Sequence, residues 1–158
     1  MPRITPNLWF DTQAEQAAEY YVSVFPNSEI KAKSYYGDAG PGPAGTVLTV
    51  SFTLDGQDFL AINGGPQFTF DEAISFAIIC KDQEEVDYYW STLTEGGGEE
   101  GPCGWLKDRY GLSWQVVPAA FEEMMSDPDE ARRDRAMKAV LSMKKLDVAA
   151  IRAAADAA

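Results

Sequence analysis

Apolar and polar residues alternate from Ile4 to Phe10, setting Thr5, Asn7 and Trp9 on one side and Pro6, Leu8 and Phe10 on the other, which is the period of a strand. The period then lengthens. From about Ala14 to Phe25, residues Ala17, Ala18, Tyr21, Val22 and Phe25 recur at helical spacing, and Pro26 ends the helix. Strand-like runs follow at Ser28 to Tyr36, Thr46 to Leu54 and Gln57 to Asn63. A glycine and proline loop from Gly37 to Gly45 separates the first two, and Asp55-Gly56, a pair that favours a tight hairpin turn, joins the last two. The pattern predicts one β-α-β-β-β unit.

That unit is then written a second time. The stretch Phe10 to Phe25 returns as Ile79 to Leu93, with Glu19-Tyr20-Tyr21 matched by Asp87-Tyr88-Tyr89. A period of roughly 70 residues is too long for a solenoid repeat, so it predicts two fused modules that enclose something between them. In the second copy a strand at Ala73 to Cys80 leads to a helix from about Gln83 to Leu93, and the glycines 96–98 break the chain. Short strands are expected near Glu99 and Glu100 and from about Gly104 to Lys107. Leu112 to Pro118 closes the unit after the turn Asp108-Arg109-Tyr110-Gly111. Beyond Pro118 alanine, methionine and charge take over, with helical stretches at Phe121 to Met125, Asp129 to Met143 and Val148 to Ala157, and Asp127 and Asp147 able to cap. The expected organisation is a two-module domain over residues 1–118, with modules at about 1–66 and 72–118, and a helical extension over 119–158 for packing or subunit contact.

Charge and composition narrow the chemistry. An apolar content of 46% with 12% aromatics is that of a globular chain, and no apolar run approaches the ~20 residues that span a bilayer. No membrane association is expected, and the cytoplasm is the expected location. With 25 acidic against 13 basic residues the net charge is -12, which repels a phosphate backbone and argues against nucleic acid as a partner. The chain has no histidine, so a Ser-His or Cys-His nucleophile and any imidazole metal site are excluded. Cys80, inside Ile78-Ile79-Cys80, reads as a small buried hydrophobe, and its spacing from Cys103 argues for neither a disulfide nor a metal clip. The string Gly40-Pro41-Gly42-Pro43-Ala44-Gly45 mimics a dinucleotide fingerprint, but it opens no helix and its prolines remove amides that would hold phosphate.

The paired modules, the Tyr-Tyr helices and the strings Leu60-Ala61-Ile62-Asn63-Gly64-Gly65-Pro66, Cys103-Gly104-Trp105-Leu106-Lys107-Asp108 and Tyr110-Gly111-Leu112-Ser113-Trp114-Gln115 together resemble one group. It is the glyoxalase/bleomycin-resistance (vicinal oxygen chelate) superfamily, in its PhnB-like, demethylubiquinone methyltransferase-like branch. The resemblance implies an α+β fold in which two βαβββ modules curl a mixed sheet into a cup, followed here by the helical extension. It also implies metal ligands pointing inward from the first and last strands of each module. By local match those positions are Thr5, about Ala61, Ser75 and Gln115, and none carries a carboxylate or an imidazole. A site without metal and without cofactor is therefore expected. The methyltransferase label finds no strand-to-helix glycine loop to cradle an adenosyl cofactor.

Strand parity then selects the lining of the cup. If Leu48, Val50, Phe52, Leu60 and Ile62 face the helices, Thr49, Ser51, Phe59, Ala61 and Asn63 face inward; likewise Phe76 and Ile78 face out while Ser75 and Ala77 face in. The candidate ligand-binding residues are Asn7, Trp9, Asn63, Ser75, Trp105 and Gln115, a few polar groups among apolar walls as a small-molecule site requires. Trp90 and Trp114 are expected in the core, whereas Trp9 and Trp105 read equally as cavity wall or core. The expected function is metal-free binding of a small organic ligand by a homodimer, with catalysis open. The alternatives are drug sequestration in the manner of bleomycin-resistance proteins, where the acidic balance and tryptophans suit a flat cation, and a metal-dependent lyase or dioxygenase.

Overall fold

The computed structural model describes residues 2–157 and divides into two compact units, the first ending at Phe70 and the second beginning at Asp71. In the first unit β1 (Asn7–Phe10), α1 (Ala14–Val24), β2 (Glu29–Tyr35), β3 (Val47–Leu54) and β4 (Gln57–Asn63) build a sheet in the order β1-β4-β3-β2. The second unit repeats the plan with β5 (Ser75–Cys80), α2 (Gln83–Thr94), β6 (Glu99–Glu100), β7 (Trp105–Lys107) and β8 (Ser113–Pro118) in the order β5-β8-β7-β6. In each sheet the opening strand runs parallel to the closing one and the remaining pairs are antiparallel. The chain therefore folds as two βαβββ modules of one topology. Three further helices, α3 (Ala119–Met125), α4 (Glu130–Leu141) and α5 (Val148–Asp156), belong to the second unit.

One face of each sheet is covered by its own helix. In the first unit Ala17, Ala18, Tyr21 and Val24 of α1 are buried with Leu8, Phe10, Val50, Phe52, Leu54, Phe59 and Ala61. Here the face expected for β4 is reversed. Asp55 and Gly56 both take positive φ, the conformation of a two-residue hairpin turn, and this pairs Leu54 with Gln57 and hence Phe52 with Phe59 and Val50 with Ala61. Paired residues share a face, so Phe59 and Ala61 lie against the helix while Leu60 and Ile62 lie on the other side.

In the second unit Val86, Tyr89, Trp90 and Leu93 of α2 cover Leu106, Trp114 and Val116, with the rings of Phe76 and Trp114 5.7 Å apart. Both indoles are satisfied: Trp90 Nε1 donates to Glu100 and Trp114 Nε1 donates to Asp108. Cys80 is fully buried, and burial first, with the charges of Glu85 and Asp82 behind it, pushes its thiol up to about 12. It is a packing residue and no nucleophile.

The C-terminal helices close on themselves. Ala136, Val140, Leu146, Ile151 and Ala155 form a buried cluster, with Cys103, Phe121, Met124, Met125 and Met143 packed against it. Val140, Leu146 and Ile151 are thus spent inside this cluster. Asp129 and Asp147 cap α4 and α5, while Asp127 accepts from the Asp129 amide and from Arg132. The extension is tied to the second sheet by backbone bonds from Cys103 N to Met143 O and from Gly104 N to Lys144 O, each 2.8 Å. Gly104 has φ +85 and its missing Cβ would lie 3.2 Å from the Leu146 side chain, so a larger residue there would push the extension away.

Candidate functional site

The six candidate residues divide between the units. In the first, Trp9 and Asn7 lie on the helix-free face: the Trp9 indole donates to Gly65 O at 2.9 Å and meets Phe68 edge-on at 4.9 Å, and Asn7 donates to Thr5 O. Asn63 lies elsewhere. Its Oδ1 accepts from Ala14 N at 2.8 Å and its Nδ2 donates to Val47 O at 3.0 Å, so it holds the start of α1, where Gln13 makes no side-chain cap, onto β3. The inward placing of Asn63 is corrected accordingly. A cavity of about 450 Å³ opens beside it, bordered by Tyr36 and the Pro41–Pro43 loop, but the Asn63 carboxamide is spent as described and the Tyr36 hydroxyl donates to Asn63 O.

In the second unit Ser75, Trp105 and Gln115 do share one face. Strand register places Glu99, Lys107, Ser113 and Ser75 in a row across all four strands, and Trp105, Gln115 and Ala77 in the next. Gln115 Nε2 donates to Ser75 Oγ at 3.0 Å. Lys107 donates to Glu72, which precedes β5. That hydrogen bond is the main cause holding the ammonium above its ordinary pKa and the carboxyl below its own. A cavity of about 470 Å³ lies on this face, walled by Pro102, Trp105 and Leu106 and edged by Glu72, Glu99 and Lys107. At its floor Ser113 is 1% exposed and its hydroxyl has no hydrogen-bond partner, the one buried side-chain oxygen or nitrogen so left among the described residues. A buried hydroxyl without a partner forfeits its hydration, so a site built this way awaits one from outside the chain.

Sequence reasoning missed Ser113, Lys107 and Glu72. Parity marked Ser113 as sharing a face with Gln115, and that signal was available. It also missed Asp108, which is 2% exposed and accepts from Tyr110 N, Leu112 N and Trp114 Nε1, so that it fixes the turn leading into β8.

With this geometry the relatives can be compared. Residues 2–117 match the family described as 3-demethylubiquinone-9 3-methyltransferase. The chain belongs to that family. A Bacillus cereus structure described as a putative 3-demethylubiquinone-9 3-methyltransferase, PhnB protein, is 37% identical over 74% of this chain and 99% of its own, with a TM-score of 0.65. A Pseudomonas aeruginosa protein is 20% identical over 75% and 98%, TM-score 0.61. The fosfomycin resistance protein FosX from Listeria monocytogenes is 18% identical over 77% and 94%, TM-score 0.53. No curated protein matches. The fold is that of the glyoxalase/vicinal oxygen chelate superfamily, and α3, α4 and α5 lie outside the residues matched to the family.

Neither group that these relationships imply fits the family member described here. An adenosyl cofactor needs a glycine turn from strand to helix. The turns from β1 to α1 and from β5 to α2 contain no glycine, and the glycines cluster between β2 and β3 and after α2 instead. A superfamily metal would fall to Thr5, Ala61, Ser75 and Gln115, yet Ala61 is buried under α1 and Ser75 and Gln115 are bonded to each other. Among the described residues no three His, Cys, Asp or Glu side chains are grouped to hold a metal ion.

Proposed function

We propose that this protein binds a small organic molecule on the helix-free face of its second sheet, over Trp105, Ser113 and Gln115, and that binding uses no transition metal. The observation that carries the reading is the buried, unpartnered Ser113 hydroxyl at the floor of the 470 Å³ cavity, since concave apolar walls with a few converging polar groups are the mark of a ligand site. Trp105 supplies area and a π face, while Gln115, held by Ser75, supplies a fixed carboxamide. Lys107 is committed to Glu72, and the buried carboxylate Asp108 is consumed by three donors, so the groups on this face suit recognition better than proton transfer. The free thiols Cys80 and Cys103 match a reducing compartment, and the cytoplasm is the location this reading carries.

Native mass spectrometry of the purified protein, followed by fragment titration with the Trp105 indole signal as reporter, tests it. Fragments that move Trp105 in the parent and fail in Gln115→Leu are expected. One zinc, nickel, iron or manganese per chain after dialysis, lost in Gln115→Leu, would instead restore the metal-dependent enzyme as the reading.

A further inference from the structure

We infer that the ligand of this cavity is an organic amine bound as its cation, the ammonium received by Ser113 and Gln115 within the field of the Glu99 carboxylate and the apolar portion lying on Trp105. The inference rests on the reading of this face as the ligand site and adds the chemical class. It comes from counting what is left unspent. Two donors on the face are already used: Lys107 donates to Glu72, and Gln115 Nε2 donates to Ser75 Oγ. Of the groups still open, the Gln115 Oε1 and the Glu99 carboxylate beside Lys107 only accept, and the Ser113 hydroxyl can accept or donate. A ligand that donates can meet all three.

Charge points the same way. The cavity is edged by Glu72 and Glu99 against Lys107 alone, Glu100 being turned to Trp90, and Lys107 is neutralised by its own ion pair. An incoming carboxylate or phosphate at Lys107 would sit beside the Glu72 and Glu99 carboxylates, whereas an ammonium enters without breaking any bond seen on this face. Trp105 shares the face with Glu99 and Lys107 by register, so a cation near Glu99 also lies within reach of an indole, the aromatic ring that attracts cations most strongly. The carboxylates at the rim are exposed and would not define a site by themselves. The buried, unpartnered Ser113 hydroxyl marks where the polar group of the ligand arrives.

Three probes that share a phenylethyl frame separate the possibilities: phenethylamine, phenylacetate and 2-phenylethanol, each titrated into the full chain by calorimetry and by the indole cross-peak of Trp105, assigned by its loss in Trp105→Phe. Phenethylamine is expected to move the Trp105 peak and to bind at least about ten-fold more tightly than the other two. Glu99→Gln should weaken the amine about five-fold or more and leave 2-phenylethanol unchanged. Ser113→Ala should weaken the amine while leaving the melting temperature no lower, because the hydroxyl it removes is unpartnered. Phenylacetate or the alcohol moving Trp105 with equal or higher affinity overturns the amine class and leaves the face as a ligand site. If none of the three probes and no member of a broad fragment set moves Trp105, the face itself is wrong and the inference falls with it.

Discussion

Trp114 and Gln115 are adjacent in β8 and serve opposite faces, so the pair separates stability from binding within one strand. Trp114 is 3% exposed, packed at a tilt against Phe76 and tethered to Asp108. Trp114→Ala is expected to cost about 3–5 kcal/mol in chemical denaturation, the range for truncating a buried aromatic residue. Gln115 is only half-buried and its one side-chain bond is to Ser75, so Gln115→Leu should change stability by no more than about 1 kcal/mol while altering ligand binding at Trp105. The opposite result, an unfolded Gln115→Leu beside a stable Trp114→Ala, would mean that the two faces have been exchanged. Single residues also mark where the sequence is silent. The carboxamide of Asn63 caps a helix that begins 49 positions earlier in the chain, and no local pattern announces a capping group supplied from so far away.

Among the elements, the C-terminal helices have the clearest consequence for the site. The bonds from Cys103 and Gly104 to Met143 and Lys144 anchor the turn that carries Pro102 into Trp105, so the extension braces one wall of the cavity. Leu146, fully enclosed in the helical cluster and against Gly104, is the link between them. Leu146→Ala should destabilise by about 2–5 kcal/mol and also shift the Trp105 indole signal; loss of stability with an unmoved Trp105 would count against the brace.

Acid gives an independent handle on the same element. Asp87, which accepts from Gln83 and from Lys145, and Asp127, which accepts from the Asp129 amide and from Arg132, both have pKa values lowered in the fold. A lowered folded pKa contributes stability above the unfolded value, lost as pH falls through the folded one, so the extension should loosen below about pH 4. Hydrogen exchange in α4 and α5 rising before that of β3 and β4 on acidification checks this, and simultaneous loss would contradict it. These helices, the two modules and the order of their elements along the chain were legible because helical period, strand period and turn residues agree. The face of β4 was not, since Phe59 and Ala61 compete with Leu60 and Ile62 and both sets are apolar. The Asp55-Gly56 turn held the missing information, because a two-residue loop dictates which residues pair. The row Glu99, Lys107, Ser113 and Ser75 escaped for a related reason: it exists only once four strands are in register.

For the molecule as a whole, two properties oppose each other in assembly. A net charge of -12 makes copies of the chain repel, while large apolar side chains stand in solvent, among them Ile74 at 70% exposed, Phe68 at 65%, Leu141 at 64% and Ile79 at 48%. Ile79 lies on the same face of β5 as Ser75. A homodimer that covers such residues is the expected state, with the opposing charge setting its salt dependence. Raising ionic strength from about 0.01 M to about 0.15 M shortens the screening length from about 30 Å to about 8 Å, which weakens repulsion between copies and leaves apolar contact intact. Sedimentation should therefore show a dimer at micromolar concentration that tightens as salt rises. Ile79→Asp and Leu141→Asp, measured separately, locate the interface: the one that produces monomers marks the β5 face or the α4 surface. A parent protein that sediments as a monomer at every salt concentration would leave these side chains exposed in solution, and the ligand face would then have to work within a single chain.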